Sequence, residues 1–453
     1  MVSVFAAGLA ATGRVSAQTK QTSIKDTSLT RTEGVPAGPQ YQIFDLGVVL
    51  MTDTASQGFG VSSGGVAVGR SVRTGGSQAF TWNFGGGLVG LPLLAGRSFA
   101  VSNAANDSDT VVGTAAASLF GTSRLPVVWQ NGAISQLPLP AGETLGDAND
   151  VNASGIAVGS VNSGSLQKAV IYNGATATLI SQTTSGGSFF QTAFGINDSG
   201  RVVGPGIDPN NAARNVGMVY DIGQSAAFEV GALPGANGAL AFGVSNAGHV
   251  VGSSMLNQGS GQPFIWTQAG GMVAIPLAAG TSQGSARAVN SAGWAVGTDS
   301  SAFAIPFLYN GTNTYRLADL IPVGTGWDLS TNTSSSALGI SENNIIVGTA
   351  VFNGAVHGYA MIPVINVSVS GRVLTAGGAG IRNASVTASG GDLQSPLTVV
   401  TGSFGYFNFT GLHSAQTYTV TVATKRYVVA QPTQNVSPSG NVTNFDFVAD
   451  PTP

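Results

Sequence analysis

One phrase, built on a tight turn and closed by a glycine, recurs along most of this 453-residue chain. It reads VNASGIAVG at 151–159, FGINDSGRVVG at 194–204, FGVSNAGHVVG at 242–252 and AVNSAGWAVG at 288–297. Looser copies stand at 60–69, 109–113 and 338–348. The closing glycines are Gly69, Gly113, Gly159, Gly204, Gly252, Gly297 and Gly348, spaced 44, 46, 45, 48, 45 and 51 residues apart. A fixed period of this size means a repeat architecture, in which neighbouring units bury a core that one unit cannot bury alone.

A second phrase follows each first one: QAFTW (78–82), LPVVW (125–129), KAVIY (168–172), VGMVY (216–220), QPFIW (262–266), IPFLY (305–309) and HGYAM (357–361). An apolar segment such as YQIFDLG (41–47) or GLVGLPLL (87–94) opens each unit. Each unit therefore offers four short segments rich in Val, Ile, Phe and Trp, bounded by Gly, Asn, Asp and Ser, which read as strands. Four strands of about six residues with four connections of about five give roughly 44 residues, the observed period. The fold class is all-β: a seven-bladed β-propeller over 41–363, closed radially so that no long sheet edge is left open. Another all-β repeat array remains the alternative.

Asn197 to Gly200 and Asn152 to Gly155 are hairpin turns in which Asn starts the turn and Gly takes positive φ. In an antiparallel meander alternate connections share a face. The short turns fall on one face and the long, variable connections on the other, where ligands are expected because loops on a rigid scaffold carry function.

From about 364 the repeat stops. Alternating segments ASVTAS (384–389), YFNFTG (406–411) and TYTVTVA (417–423) read as a β-sandwich over 364–449, with a tail at 450–453. Residues 1–17 read as a signal peptide, with an apolar run at 2–11 and Val15-Ser16-Ala17 at the cleavage site, although no Lys or Arg precedes the run. A polar linker follows at 18–40. The protein is expected to be secreted or held at the cell surface, with no transmembrane segment, since no apolar run approaches the ~20 residues a span needs.

Charged residues make up 8% of the chain and the net charge is −3, which argues against binding to nucleic acid. The chain has no cysteine, and its three histidines, His249, His357 and His413, are far apart in sequence, so no metal centre or cofactor is expected. No nucleophile elbow or phosphate-binding loop occurs in the required context.

Paired carboxylates are the one enzymatic pattern left open. Glu143 and Asp147 share a variable-face loop, with Asp150 just beyond, while Asp53, Asp208, Asp299 and Asp328 lie on others. Arg97, Arg124, Arg214 and Arg287 lie on or beside the same face and could pair with them. Phe120, Phe189, Phe190 and Trp327 stand among Gly and Ser, where no period demands an aromatic ring. They suit sugar or protein contacts, unless they tuck back under the loops.

The phrase with its following A-F-x-W strand resembles the bacterial extracellular HAF-repeat family, best at 193–204, 241–252 and 78–82. The resemblance implies a secreted, propeller-like protein and carries no catalytic residues with it. The segment SGRVLTAGGAGIRNASVTASG with GSFGYFNFTGL and YTVTVATKRY is similar to carboxypeptidase-regulatory-like, or prealbumin-like, domains. That resemblance implies a non-catalytic spacer or adhesion unit. The first reading is thus a non-enzymatic binding protein that offers a propeller face to a polysaccharide or a cell-surface protein. Its candidate ligand residues are Phe120, Glu143, Asp147, Phe189, Phe190, Trp327 and Asp328. The alternative is a polysaccharide hydrolase or lyase using paired carboxylates on that face.

Overall fold

The computed structural model describes residues 38–118, 123–164, 166–255 and 260–451. The expected leader, most of the linker and Phe120 lie outside the described residues. Apart from two short 3-10 turns, every regular element among the described residues is a β-strand.

The repeat unit folds as a four-stranded antiparallel sheet. In the first, Ala55–Val61, Ala67–Arg73, Gly76–Asn83 and Gly87–Gly90 pair in sequence order. The innermost strands that follow are Phe99–Ala105, Leu145–Val151, Gly195–Ile196, Gly238–Val244, Gln283–Val289 and Ser336–Ile340. Successive innermost strands pack side by side, and Ser336–Ile340 packs back against Ala55–Val61, so the arrangement is propeller-like.

The hydrophobic cores lie between neighbouring sheets. Between the first and second they gather Val68, Ala79, Ala100, Val111, Ala115, Val127 and Trp129. Alanine and glycine crowd the inner strands, where converging sheets leave little room, and aromatic rings fill the wider outer part. Burying a large apolar side chain here contributes roughly 1.5–3 kcal/mol.

The sheets are offset from the sequence units by one strand. Segment 41–47, which reads as opening the first unit, supplies the outer strand of the last sheet: Tyr41–Asp45 pairs antiparallel with Ala355–Pro363, Tyr41 opposite Pro363. The first sheet instead takes its outer strand from Gly87–Gly90. The two ends of the repeat region are thereby joined by main-chain hydrogen bonds, by Leu46 N–H donating to Gly358 O, and by His357 Nδ1 at 2.9 Å from Asp45 Oδ1.

A β-bulge marks the innermost strands other than Gly195–Ile196. The register slips between Gly58 and Gly60, Ser102 and Ala104, Ala148 and Asp150, Ala241 and Gly243, Ala286 and Ala288, and Ala337 and Gly339. The closing glycine of the repeat lies opposite. A Cβ on Gly159 would fall 1.9 Å from Asp147 O, and one on Gly204 1.9 Å from Thr192 O. No side chain fits between the two backbones there, which is why every copy of the phrase ends in glycine.

Residues 366–451 form a sandwich of two four-stranded sheets. Val369, Val386, Phe407, Phe409, Tyr418, Val420 and Phe447 fill its core. It is tied to the repeat region at one corner. Ser414 Oγ donates to Pro363 O at 2.5 Å and accepts from Ile365 N–H at 2.9 Å, and Ala415 is buried with Leu46, Ile345 and Ile362.

Candidate functional site

The repeated Asn turns build a rigid mouth at the short-turn end of the central channel. In Asn152 the side-chain Oδ1 accepts from Ile156 N–H at 3.0 Å, closing its own turn, while Nδ2 donates to Asn197 O of the next sheet at 3.3 Å. Asn197 repeats the pattern with Arg201 N–H and Ser245 O, Asn106 with Thr110 N–H and Asn152 O, and Asn290 with Trp294 N–H and Ser341 O. One residue type thus does two tasks: it shapes the turn and latches one sheet to the next. Where the phrase carries serine, as at Ser62, Ser245 and Ser341, the hydroxyl bonds within its own turn.

Within this frame one side chain from each sheet lines the channel, in all but the Phe194 sheet at a register slip. These are Phe59, Asn103, Asn149, Phe194, Phe242, Arg287 and Leu338, each three residues before the turn residue. A bulge re-aims a side chain in this way by adding one residue to one strand only. The cavity they line has a volume of about 570 Å³, within the range typical of small-ligand sites. Its chemistry is uneven around the ring. Phe194 and Phe242 lie with ring centroids 5.9 Å apart, and the Arg287 guanidinium sits 4.2 Å from the Phe242 centroid. Asn103 and Asn149 stand on another side, their Nδ2 groups donating to Ala148 O and Ala193 O.

Four carboxylates also line the mouth, and all are engaged by backbone or amide donors. Asp107 Oδ1 accepts from Gly64 N–H, Asp198 from Ala153 N–H and Asn246 Nδ2, and Glu342 from Ser291 N–H and Oγ. Asp150 accepts from Ile196 N–H at 2.8 Å and Val151 N–H at 2.9 Å. Burial pushes the Asp150 carboxyl up to about 7, despite those two hydrogen bonds, and nearby Asp198 adds to the rise.

Of the residues singled out from the sequence, Asp150 and Arg287 line this cavity, whereas the candidate ligand residues Glu143, Asp147, Phe189, Phe190, Trp327 and Asp328 lie elsewhere. Glu143 pairs with Lys168 Nζ at 2.6 Å. Asp147 accepts from Thr114 Oγ1 at 3.0 Å and lies 3.2 Å from Arg124, yet burial raises its pKa. Phe190 is buried against the edge of Tyr220, and Phe189 pairs with Ile207 in the sheet. Trp327 stacks on Phe352 at 4.7 Å and meets the edge of Tyr359. Asp328 folds its own loop. Burial opposes its charge, but bonds from Ser330 and Thr331, with Asn332 near, hold the carboxyl down at about 2. Arg214 is shared by Asp208 and Glu229. Arg287, expected beside that face as a partner for its acids, stands instead in the channel mouth, because the bulge turns it inward. Phe242 and Arg287 were legible in one respect: theirs is one of the positions that vary inside the repeated phrase.

Among the described residues no group of three or more His, Asp or Glu is placed to hold a metal ion, and no helix is long and apolar enough to cross a membrane.

Residues 368–449 match the carboxypeptidase regulatory-like domain. Comparison with curated protein sequences finds no match. Among solved structures, an oligogalacturonate lyase from Vibrio parahaemolyticus is similar at 12% identity, covering 70% of this chain and 93% of that one, with a TM-score of 0.46. YCF48 bound to D1 peptide is similar at 12% identity over 72% of this chain and 96% of that one, with a TM-score of 0.39. A gluconolactonase from Xanthomonas campestris is similar at 11% identity over 71% and 89%, with a TM-score of 0.33.

Proposed function

We propose that the chain is a secreted or cell-surface binding protein: a seven-bladed propeller of HAF-type repeats with a regulatory-like sandwich at its C-terminal side. The propeller offers its channel mouth to a glycan or protein ligand. The observation that carries this reading is the ring of bulge residues. Seven copies of the phrase place three Phe, two Asn, one Arg and one Leu at one position, and the side chains there are partly accessible and chemically varied. A scaffold that holds a rigid frame of turns and closing glycines while the inward-facing residue changes from copy to copy suits recognition. The acids of the long-loop end favour the enzymatic alternative less, since Glu143, Asp147, Asp208 and Glu229 are each taken up by a basic side chain. The sandwich, tied to the propeller at Ser414, suits a spacer that orients the channel mouth.

The test is a binding screen of the full chain against a polysaccharide panel and envelope fractions of the producing cell, with product release followed in the same wells. Saturable binding without product is the expected result. Released sugar would overturn the reading and make Glu143 and Asp147 the acids to mutate. Sequencing the N-terminus of protein recovered from the medium checks secretion, with cleavage after Ala17 expected.

A further inference from the structure

Arg287 is the one unmatched charge of the channel mouth. Among the described residues it has neither a hydrogen-bond acceptor nor a carboxylate partner; its contact is the face of Phe242. Its side chain is exposed to the channel, and desolvation by the surrounding mouth lowers its pKa. Two acceptors are unmatched as well. Asn103 and Asn149 spend their Nδ2 donors on neighbouring carbonyls, and their Oδ1 atoms accept nothing from the described residues. Beside these polar groups lie two aromatic rings, Phe194 and Phe242, both at least partly open to the channel.

A ligand that completes this set needs an anionic group for a planar guanidinium, hydroxyl donors for two amide oxygens, and a flat C–H face for the rings. We propose that the channel mouth binds a carboxylate-bearing saccharide. Arg287 takes the carboxylate, Asn103 and Asn149 take hydroxyls, and Phe194 and Phe242 take the apolar sugar face. The proposal rests on the reading of the channel mouth as the binding site.

The four carboxylates of the mouth do not forbid an anion. Asp107, Asp198 and Glu342 are turned to the amides of the adjacent turn, where N–H dipoles offset their charge. Asp150 is held between two backbone N–H groups in the same way. These groups are already engaged, whereas Arg287 is not. Their negative field selects a ligand of low charge density, a single carboxylate on a neutral body, over a phosphate.

The experiment uses the full chain and two probes that differ at one atom set: a β-1,4-linked glucuronic acid trisaccharide and cellotriose, titrated calorimetrically. The glucuronic acid probe is expected to bind at least about tenfold more tightly, the scale of one charge-assisted pair. Arg287→Gln is expected to remove that preference, and Arg287→Lys to keep part of it, both with an unchanged melting temperature. Equal binding of the two probes would overturn the carboxylate assignment and leave the channel reading standing. Binding of neither probe, with an envelope protein retained and released by Arg287→Gln, would replace the saccharide with a peptide carboxylate and overturn the proposal. Retention of any ligand unaffected by Arg287→Gln, Asn149→Ala and Phe242→Ala would overturn the channel reading as well.

Discussion

The two ends of the propeller-like ring are built from the same strands and treat polar groups in opposite ways. At the long-loop end most charges meet an opposite charge: Lys168 with Glu143, Arg124 with Asp147, Arg214 with Asp208 and Glu229, and Arg73 with Asp53. Its large rings are tucked in, Trp327 against Phe352 and Phe190 against Tyr220. At the short-turn end the frame is matched but several inward residues are not: Arg287 and two amide oxygens have no hydrogen-bond partner among the described residues. Variability of loop length is therefore a poor guide here. The long loops spend their side chains on holding themselves, while the uniform turns free one position per sheet.

The sharpest way to break this comparison is to attack the close approach at a closing glycine. In Gly204→Ala the new Cβ meets Thr192 O at 1.9 Å, so the two backbones must part. A loss above about 4 kcal/mol, or no soluble protein, is expected by denaturant unfolding. A loss below about 1 kcal/mol would mean that the strands are not pressed together there.

Trp327→Ala is expected to cost about 3 kcal/mol, because the indole packs on Phe352 and Tyr359, while ligand affinity stays unchanged. A drop in affinity without loss of stability would move the site to the long loops.

A third prediction concerns Asp299, fully buried in the strand Ala295–Ser300 with its Oδ1 unpartnered. Burial lifts its carboxyl to about 7, against bonds from Ala278 N–H and Thr281 Oγ1. A raised carboxyl favours the folded state at low pH. The stabilisation is full below the unfolded value near 4 and is lost as pH rises through about 7. Between pH ~5 and ~7 the loss amounts to roughly 2 kcal/mol. Asp299→Asn is expected to flatten the fall in melting temperature over that range, and an unchanged slope would contradict it.

The smallest effect separates Asn turns from Ser turns. Asn152→Ala removes both the own-turn bond and the latch to Asn197 O, for about 2 kcal/mol. Ser245→Ala removes one own-turn bond to His249 N–H, for about 1 kcal/mol or less. Equal costs in chemical denaturation would deny the latch.

Much of this was legible in the sequence because it is local. The glycines of the Asn turns do take positive φ, Gly155 and Gly200 both at 81°. The alternation at 384–389 and 417–423 reappears as the strands Ser385–Gly390 and Tyr418–Ala423. What escaped the sequence depends on partners far along the chain. Nothing near Tyr41 says that it lies opposite Pro363. The channel residues escaped for a different reason. Period-2 reading assigns each residue a face, and a bulge breaks that period by one residue, so Arg287 and Phe242 fall on a side the pattern does not predict. The sign of it was a variable position three residues before each turn residue.

The most direct test of the central claim is a hydroxyl-radical footprint of the full chain, free and saturated with whichever glycan or envelope fraction it retains. The account predicts protection of Phe59, Phe194, Phe242 and Leu338, with Phe189 and Trp327 unchanged. Protection of Phe189 and Trp327, with the channel residues oxidised as before, would contradict it.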